Sequence, residues 1–164
     1  MKNYIISLVF LLLLYSCNGQ NKTPSNPSSS TSILVNELDP SVEAKLVGSW
    51  KNQLGSTLKI TKINVKTGEI SGSYTSPSGT TGEWFPLIGW VNERPAKDTS
   101  VHHAISVSFS VRWGQYGSIT SWNGVYYIPK KTNVPTIIGD WLLSRSNADF
   151  EWGHVNVGQD RFTQ

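Results

Sequence analysis

The sequence is poor in cysteine, in charge and in helical periodicity. Cys17 is the only cysteine among 164 residues, so no disulfide can form within the chain. Only 15% of the residues are charged, and Lys130-Lys131 is the only adjacent basic pair, so the chain lacks the basic stripe of a nucleic-acid binder. No stretch repeats its apolar residues with a helical period, which argues against a mainly helical fold.

The apolar run Ile5 to Leu14 is too short for a membrane-spanning helix, which needs about 20 apolar residues. With Lys2 before it and Ser16-Cys17 after it, the run is typical of a secretory signal peptide, predicted at residues 1–16. The alternative is that the run is a buried element of the folded domain.

The segment "LYSC", which ends at Cys17, resembles a bacterial lipoprotein cleavage and lipidation site. It predicts an exported lipoprotein of the outer membrane or cell surface, held to the membrane only through a lipid on Cys17. Secretion as a soluble protein after ordinary signal cleavage is the alternative.

Residues 17–41 follow the leader and are rich in Asn, Ser, Pro and Thr ("NGQNKTPSNPSSSTS"). Few large apolar groups are present, so burial cannot offset the entropy lost on ordering. We therefore predict a lipidated cysteine followed by a flexible tether. From Val42 the composition changes to short β-type runs, so one domain is expected over residues 42–164.

Eight candidate strands follow, separated by turn residues such as Thr67-Gly68 and the segment Pro77 to Gly82. They cover roughly residues 47–54, 57–65, 69–76, 83–92, 102–113, 118–128, 136–145 and 153–163. This all-β pattern predicts an up-and-down barrel or a sandwich. Eight strands also close to a barrel whose interior can hold one small ligand.

The alternation of side chains along the strands places polar residues on inward faces. In "HAISVSFSVRW" the apolar residues alternate strictly with Ser and Arg, and the inward set ends at Trp113. The same parity in the other strands turns inward a set of hydroxyl, amide, carboxylate and indole groups: Asn52, Ser56, Tyr74, Ser76, Ser118, Thr120, Asp160, Trp122 and Trp141. An unpaired buried polar group costs about 1–3 kcal/mol. This set therefore predicts a polar ligand site walled by indole rings, the alternative being that neighbours or buried water satisfy each group.

Five segments of the chain resemble the avidin and streptavidin family of biotin-binding barrels, in order and in spacing. They are "GSWKNQLGST", "GSYTSPSGTT", "SVRWGQYGSITSWNGVYY", "GDWLL" and "VNVGQDRFTQ". The resemblance covers about residues 46–164. It implies an eight-stranded antiparallel up-and-down barrel that binds biotin tightly as a ligand, without catalysis or a cofactor. It also implies a homo-oligomer, and the absence of a disulfide favours the tetramer over the dimer.

The resemblance assigns roles at the polar end of the ligand. Asn52, Ser56 and Tyr74 would donate hydrogen bonds to the ureido oxygen of biotin. Asp160 would accept a hydrogen bond from one ureido N–H, and Ser76 from the other.

The resemblance assigns the remaining residues to the rest of the ligand. Thr120 would approach the thioether sulfur, and Ser118 would meet the valerate carboxylate together with the loop around Gly79 and Thr80. Trp152 matches the tryptophan that caps the site of a neighbouring subunit. The apolar walls would be formed by Trp113, Trp122, Trp141 and Leu143, with Leu54 beside them.

Other classes of function are weighed against this one. An enzyme would need a nucleophile–base pair, paired carboxylates or a metal cluster, whereas His102 and His103 are adjacent in a strand and point to opposite faces. We therefore expect no catalytic residue and no metal site. A surface module that binds carbohydrate or peptide, or a barrel that binds another small ligand, are the alternatives.

Overall fold

The structure, a computed structural model, describes residues 37–78, 80, 82–94 and 102–164. The predicted signal peptide, Cys17, most of the tether and Gly79 lie outside the described residues. Eight antiparallel strands pair in chain order, and the last pairs with the first to close a barrel. The strands are β1 Gly48–Asn52, β2 Thr57–Ile63, β3 Glu69–Thr75, β4 Phe85–Asn92, β5 Ile105–Arg112, β6 Ser118–Tyr127, β7 Thr136–Arg145 and β8 Val155–Thr163. The predicted all-β up-and-down barrel is confirmed.

The strict alternation of apolar and polar residues in β5 corresponds to inward and outward side chains, as the sequence predicts. Ile105, Val107, Phe109 and Val111 are buried in the barrel, while the serines between them lie outside or at intermediate depth. Since every strand contributes one face to the interior, the core is one continuous cluster of branched aliphatic and aromatic side chains.

A short helix, α1 (Ser41–Leu46), packs against one end of the barrel and was not predicted. Val42 and Leu46 are fully buried, and the indole N–H of Trp50 donates a hydrogen bond to the Leu46 carbonyl at 2.9 Å. Leu38 is also buried, so the packed part of the chain includes residues assigned to the tether from the sequence. Six helical residues and one isolated leucine are too few to show a periodic pattern.

The first strand ends at Asn52, two residues before its predicted end. The side-chain oxygen of Asn52 accepts hydrogen bonds from the N–H groups of Leu54 and Ser56, at 3.1 and 2.8 Å, and Gly55 has φ +83°. These contacts close a tight turn, in which a left-handed residue favours glycine. Leu54 is therefore 66% exposed at the tip of the turn, whereas the sequence placed it on the inward face of the strand.

Two 3-10 helices connect strands at the same end of the barrel as this turn. Gly114–Tyr116 joins β5 to β6, and Glu151–His154 leads into β8, which begins two residues later than predicted. None of the described residues forms a helix that is long and apolar enough to cross a membrane.

Candidate functional site

The barrel contains a cavity of about 490 Å³, a volume suited to a small molecule. All the predicted ligand-binding residues line it except Gly79, which lies outside the described residues, and Trp152. The cavity wall comprises Asn52, Leu54, Ser56, Tyr74, Ser76, Ser78, Thr80, Trp113, Tyr116, Ser118, Thr120, Trp122, Trp141, Leu143, Arg145 and Asp160. Ser78, Tyr116 and Arg145 are the cavity residues that the sequence analysis did not name.

Hydrogen-bond donors converge at the inner end of the cavity. The Oδ1 atom of Asn52 is engaged by the backbone N–H groups of the following turn, which leaves its Nδ2 as the free donor of the amide. Ser56 lies beside it, and its hydroxyl donates to Ser76 Oγ at 3.3 Å. A hydroxyl can rotate toward a ligand, so these three side chains can supply both donors and an acceptor.

Tyr74 adds a phenol to this group. Its ring is buried between the indoles of Trp113 and Trp122, with centroid distances of 5.7 and 4.9 Å. Burial raises the pKa of Tyr74 far above its ordinary value; a hydrogen bond with Ser56 opposes this rise, and the charge of Asp160 adds to it. The phenol therefore keeps its proton at neutral pH and remains a donor.

Asp160 supplies a buried carboxylate on the wall formed by β8, and it is only 3% exposed. Its Oδ2 accepts from the Trp122 indole N–H at 2.9 Å, and its Oδ1 accepts from Gln53 Nε2 at 3.1 Å. Each carboxylate oxygen can accept more than one hydrogen bond, so Asp160 retains acceptor capacity for a ligand. Gln53 was not predicted, because strand parity turns it away from the interior; the turn after Asn52 brings it to the carboxylate.

The indole walls are held in place by their own N–H groups. Trp113 donates to Thr120 Oγ1 at 2.7 Å, and Trp122 donates to Asp160 while its ring stacks on Phe109 at 4.8 Å. Because these two N–H groups have partners, the rings of Trp113 and Trp122 present apolar faces without an unsatisfied buried donor.

Strands β6 and β7 form three successive cross-strand pairs that run outward along the cavity. Trp122 faces Trp141 at the innermost level, Thr120 faces Leu143 at the next, and Ser118 faces Arg145 at the mouth. Two residues of a strand advance about 6.6 Å, so the three levels span roughly 13 Å. From the inner end to the mouth, the cavity wall formed by these strands thus changes from a pair of indole rings, through a threonine and a leucine, to a pair of polar side chains.

The Trp141 indole depends on a glycine in the adjacent strand. Gly158 pairs with Trp141, and a Cβ atom at position 158 would lie 2.3 Å from the ring. We predict that Gly158→Ala forces the indole out of its position and weakens ligand binding by at least about 1–3 kcal/mol, the usual cost of overpacking. Calorimetric titration with biotin, the ligand that the family resemblance implies, measures the loss of binding free energy.

A double-mutant cycle isolates the cause of that loss. In a Trp141→Leu background the clashing ring atoms are gone, so adding Gly158→Ala should cost little further affinity. Equal losses in both backgrounds would show that Gly158 acts on something other than the indole.

The segment after β3 is ordered around Ser76. The Thr80 hydroxyl donates to the Ser76 carbonyl at 2.7 Å, and the Ser78 N–H donates to Ser76 Oγ at 3.2 Å. These bonds hold Ser78 and Thr80 against the cavity mouth. The predicted contact of this loop with the outer end of a ligand remains a prediction.

Trp152 does not line the cavity of its own chain. Its side chain is 78% exposed and stacks on Phe150 with a centroid distance of 4.7 Å and an interplanar angle of 3°. The predicted role of Trp152 concerns the site of a neighbouring subunit, so it stays a prediction.

The described residues bear on the alternative functions as well. Trp113 and Trp122 are buried, which does not suit an exposed stacking platform for carbohydrate. His103 Nε2 bonds to Glu93 Oε1 at 2.6 Å, away from the cavity. Within the ranges that the structure describes, no three His, Cys, Asp or Glu side chains come together as a metal site would require.

The chain is similar in sequence to proteins of the avidin family. The avidin family model matches residues 40–164. Avidin-related protein 4/5 of Gallus gallus is 31% identical over 135 residues, which cover 76% of this chain and 83% of the relative. Avidin of Gallus gallus is 30% identical over 129 residues, which cover 74% and 79%.

Solved structures give the same result. The crystal structure of Xenavidin has a TM-score of 0.58 and is 30% identical, with 73% of this chain and 96% of that chain covered. The crystal structure of bradavidin has a TM-score of 0.57 and is 33% identical, with 70% and 77% covered. The family model matches the whole of the closed eight-stranded barrel. This chain therefore belongs to the avidin family.

Proposed function

We propose that this protein binds biotin inside the barrel with high affinity and without catalysis. The observation that carries the proposal is the meeting of free donors with a buried carboxylate at the inner end of an indole-walled cavity. Biotin is the ligand of the avidin family, and its ureido group requires hydrogen-bond donors around its oxygen and an acceptor for each of its two N–H groups.

The side chains at the polar end of the cavity would supply a partner for each polar atom of the ureido group. The ureido oxygen would accept from Asn52 Nδ2, the Ser56 hydroxyl and the Tyr74 phenol. One ureido N–H would donate to Asp160 and the other to Ser76 Oγ. Donors on one side and a carboxylate on the other polarise the group in the same direction, so these hydrogen bonds reinforce one another.

The outer levels of the cavity suit the fused rings and the valerate chain of biotin. The Thr120 oxygen accepts the Trp113 N–H, so its hydroxyl hydrogen remains free to donate to the thioether sulfur, which can only accept. Trp122 and Trp141 offer apolar faces to the fused rings, and Leu143 continues that wall toward the mouth. The valerate chain would then end near Ser118.

A titration of the purified protein with biotin tests the proposal. We expect one biotin per chain, a large favourable heat and a change in tryptophan fluorescence, because three tryptophans line the cavity. Biotin released by denaturation should be chemically unchanged by mass spectrometry, as binding without catalysis requires. A folded protein that shows neither heat nor a fluorescence change would contradict biotin binding and favour another small ligand.

Assembly into a homotetramer is a further part of the proposal. Large apolar side chains are exposed on the outward faces of β4, β7 and β8, just before β4 and beside Trp152; they are Ile88, Trp90, Leu142, Val155, Val157, Trp84 and Phe150. Exposed apolar groups on this scale are typical of surfaces that associate. In such an assembly Trp152 would cover the site of a neighbouring subunit, and light scattering gives the number of chains.

Export and lipidation complete the proposal, since Cys17 lies outside the described residues and its role comes from the sequence alone. We propose a lipid-anchored protein of the outer membrane or cell surface, with secretion in soluble form as the alternative. Cys17→Ala should move the protein from the membrane fraction to the soluble fraction without changing biotin affinity. Ser16→Ala, a neighbouring substitution that keeps the thiol, is the control and should stay with the membrane.

A further inference from the structure

Arg145 is the one basic side chain on the cavity wall among the described residues, and nothing above assigns it a role. It has the same strand parity as Trp141 and Leu143 and is the last residue of β7. Its cross-strand partner is Ser118, so both side chains belong to the outermost level of the cavity.

The guanidinium group is held in place by a neighbouring turn. Its Nε and Nη2 atoms donate to the Gly153 carbonyl at 3.3 and 2.8 Å, and the Arg145 carbonyl bonds to His154 Nδ1 at 2.8 Å. Among the described residues, Nη1 has no acceptor and the side chain forms no ion pair. Arg145 thus presents a fixed charge and a free donor edge.

The surroundings of Arg145 leave this charge available. The side chain also lines a second cavity, with Asp149 among its walls, but Asp149 is not ion-paired to Arg145. Asp160, the carboxylate among the described residues that line the main cavity, belongs to its inner end, where it bonds to Trp122. Among the described side chains that line the main cavity, the positive charge of Arg145 therefore lies at the mouth and the carboxylate of Asp160 at the inner end.

We propose that Arg145 recognises the anionic tail of the ligand, so that this barrel distinguishes free biotin acid from biotin held in an amide linkage. The inference rests on the proposed function. The chain of a ligand anchored at the level of Trp122 and Trp141 must pass Thr120 and Leu143 before its end reaches Ser118 and Arg145. A guanidinium at that level favours a carboxylate over an uncharged amide through a charge-assisted hydrogen bond.

The size of the effect follows from exposure. Arg145 is an exposed side chain, so solvent and salt screen its charge. Selectivity is the dissociation rate of biotin amide divided by that of biotin. We expect this ratio to be about three- to tenfold higher with the charge of Arg145 than without it. This selectivity should decrease as the salt concentration rises.

The test compares biotin with biotin amide, an uncharged ligand of nearly the same shape, in four proteins. Dissociation rates are measured for the full-length protein and for its Arg145→Gln, Arg145→Lys and Arg112→Gln variants. Arg112 lies at the end of β5 on the outward face, so Arg112→Gln removes the same charge near the mouth without touching the cavity. Arg145→Lys keeps the charge while losing the paired contact with Gly153.

The ratio of the two dissociation rates within each protein is the readout, because loosening of the Gly153 turn affects both ligands alike. We expect Arg145→Gln to reduce the selectivity three- to tenfold, Arg145→Lys to keep part of it, and Arg112→Gln to leave it unchanged. An unchanged ratio in Arg145→Gln, with biotin still bound, would overturn the proposed role of Arg145 but not the proposed binding of biotin. Failure of the wild-type protein to bind either ligand would overturn the proposed function, and this inference with it.

Discussion

Trp152→Ala should weaken biotin binding by several kcal/mol. The indole is largely exposed in the single chain, yet burying such a ring against a neighbour removes 150–250 Å² from water, worth up to about 4–6 kcal/mol. Its stacking on Phe150 orders the ring before association, so little entropy is lost when it covers a ligand. Competition against a labelled biotin measures the change in dissociation constant.

Two controls separate capping from general effects on the protein. Ile128→Ala removes an exposed apolar side chain just after β6, at the end of that strand away from the cavity mouth, and should leave the affinity unchanged. Light scattering on the Trp152→Ala variant shows whether the assembly persists. A tetramer that lacks Trp152 and still binds biotin with wild-type affinity would mean that the indole does not cap a site.

Asp160→Ala should weaken biotin binding by at least 1.5–3 kcal/mol, the usual worth of a hydrogen bond to a charged group, or about ten- to a hundredfold. The carboxylate is the buried acceptor proposed for a ureido N–H, and it also fixes the Trp122 indole through a 2.9 Å bond. Truncation removes the acceptor and leaves the indole N–H unsatisfied. The thermal midpoint without biotin should therefore fall as well.

Asp140→Ala is the matched control for this change. Asp140 is exposed on the outward face of β7, where it accepts a hydrogen bond from Gln159 Nε2 at 2.8 Å, so its loss removes the same charge from the surface. Biotin affinity should stay at the wild-type value. If both aspartate variants lost affinity equally, net charge rather than the buried acceptor would be responsible.

Several parts of the fold and cavity were predictable because they follow from local alternation. The eight strands lie within three residues of the predicted ends, and the inward parity of Trp113, Thr120 and Asp160 places them on the cavity wall. Continuing the same alternation beyond Leu143 would have found Arg145. Parity alone does not assign it to the cavity, however, because a charged residue at the end of a strand is usually solvated.

Tyr116 and Ser78 could not be found in this way, because they lie in connections and not in strands. A loop residue has no parity, and its direction is set by contacts such as the hydrogen bonds around Ser76. Leu54 shows the converse error. Its alternation with Asn52 suggested an inward strand position, but the Asn52 side chain closes a turn that carries Leu54 to the rim.

The sequence by itself determined the number and order of the strands and which side chains face the interior, since a two-residue period is a local property of an extended chain. Only the tertiary structure decided which side chains meet. Pairing of β8 with β1 closes the barrel, Asp160 reaches an indole 38 residues away in the chain, and Ser118 comes to face Arg145. These contacts depend on register between distant segments, which is set by the closure of the whole barrel and by no single strand.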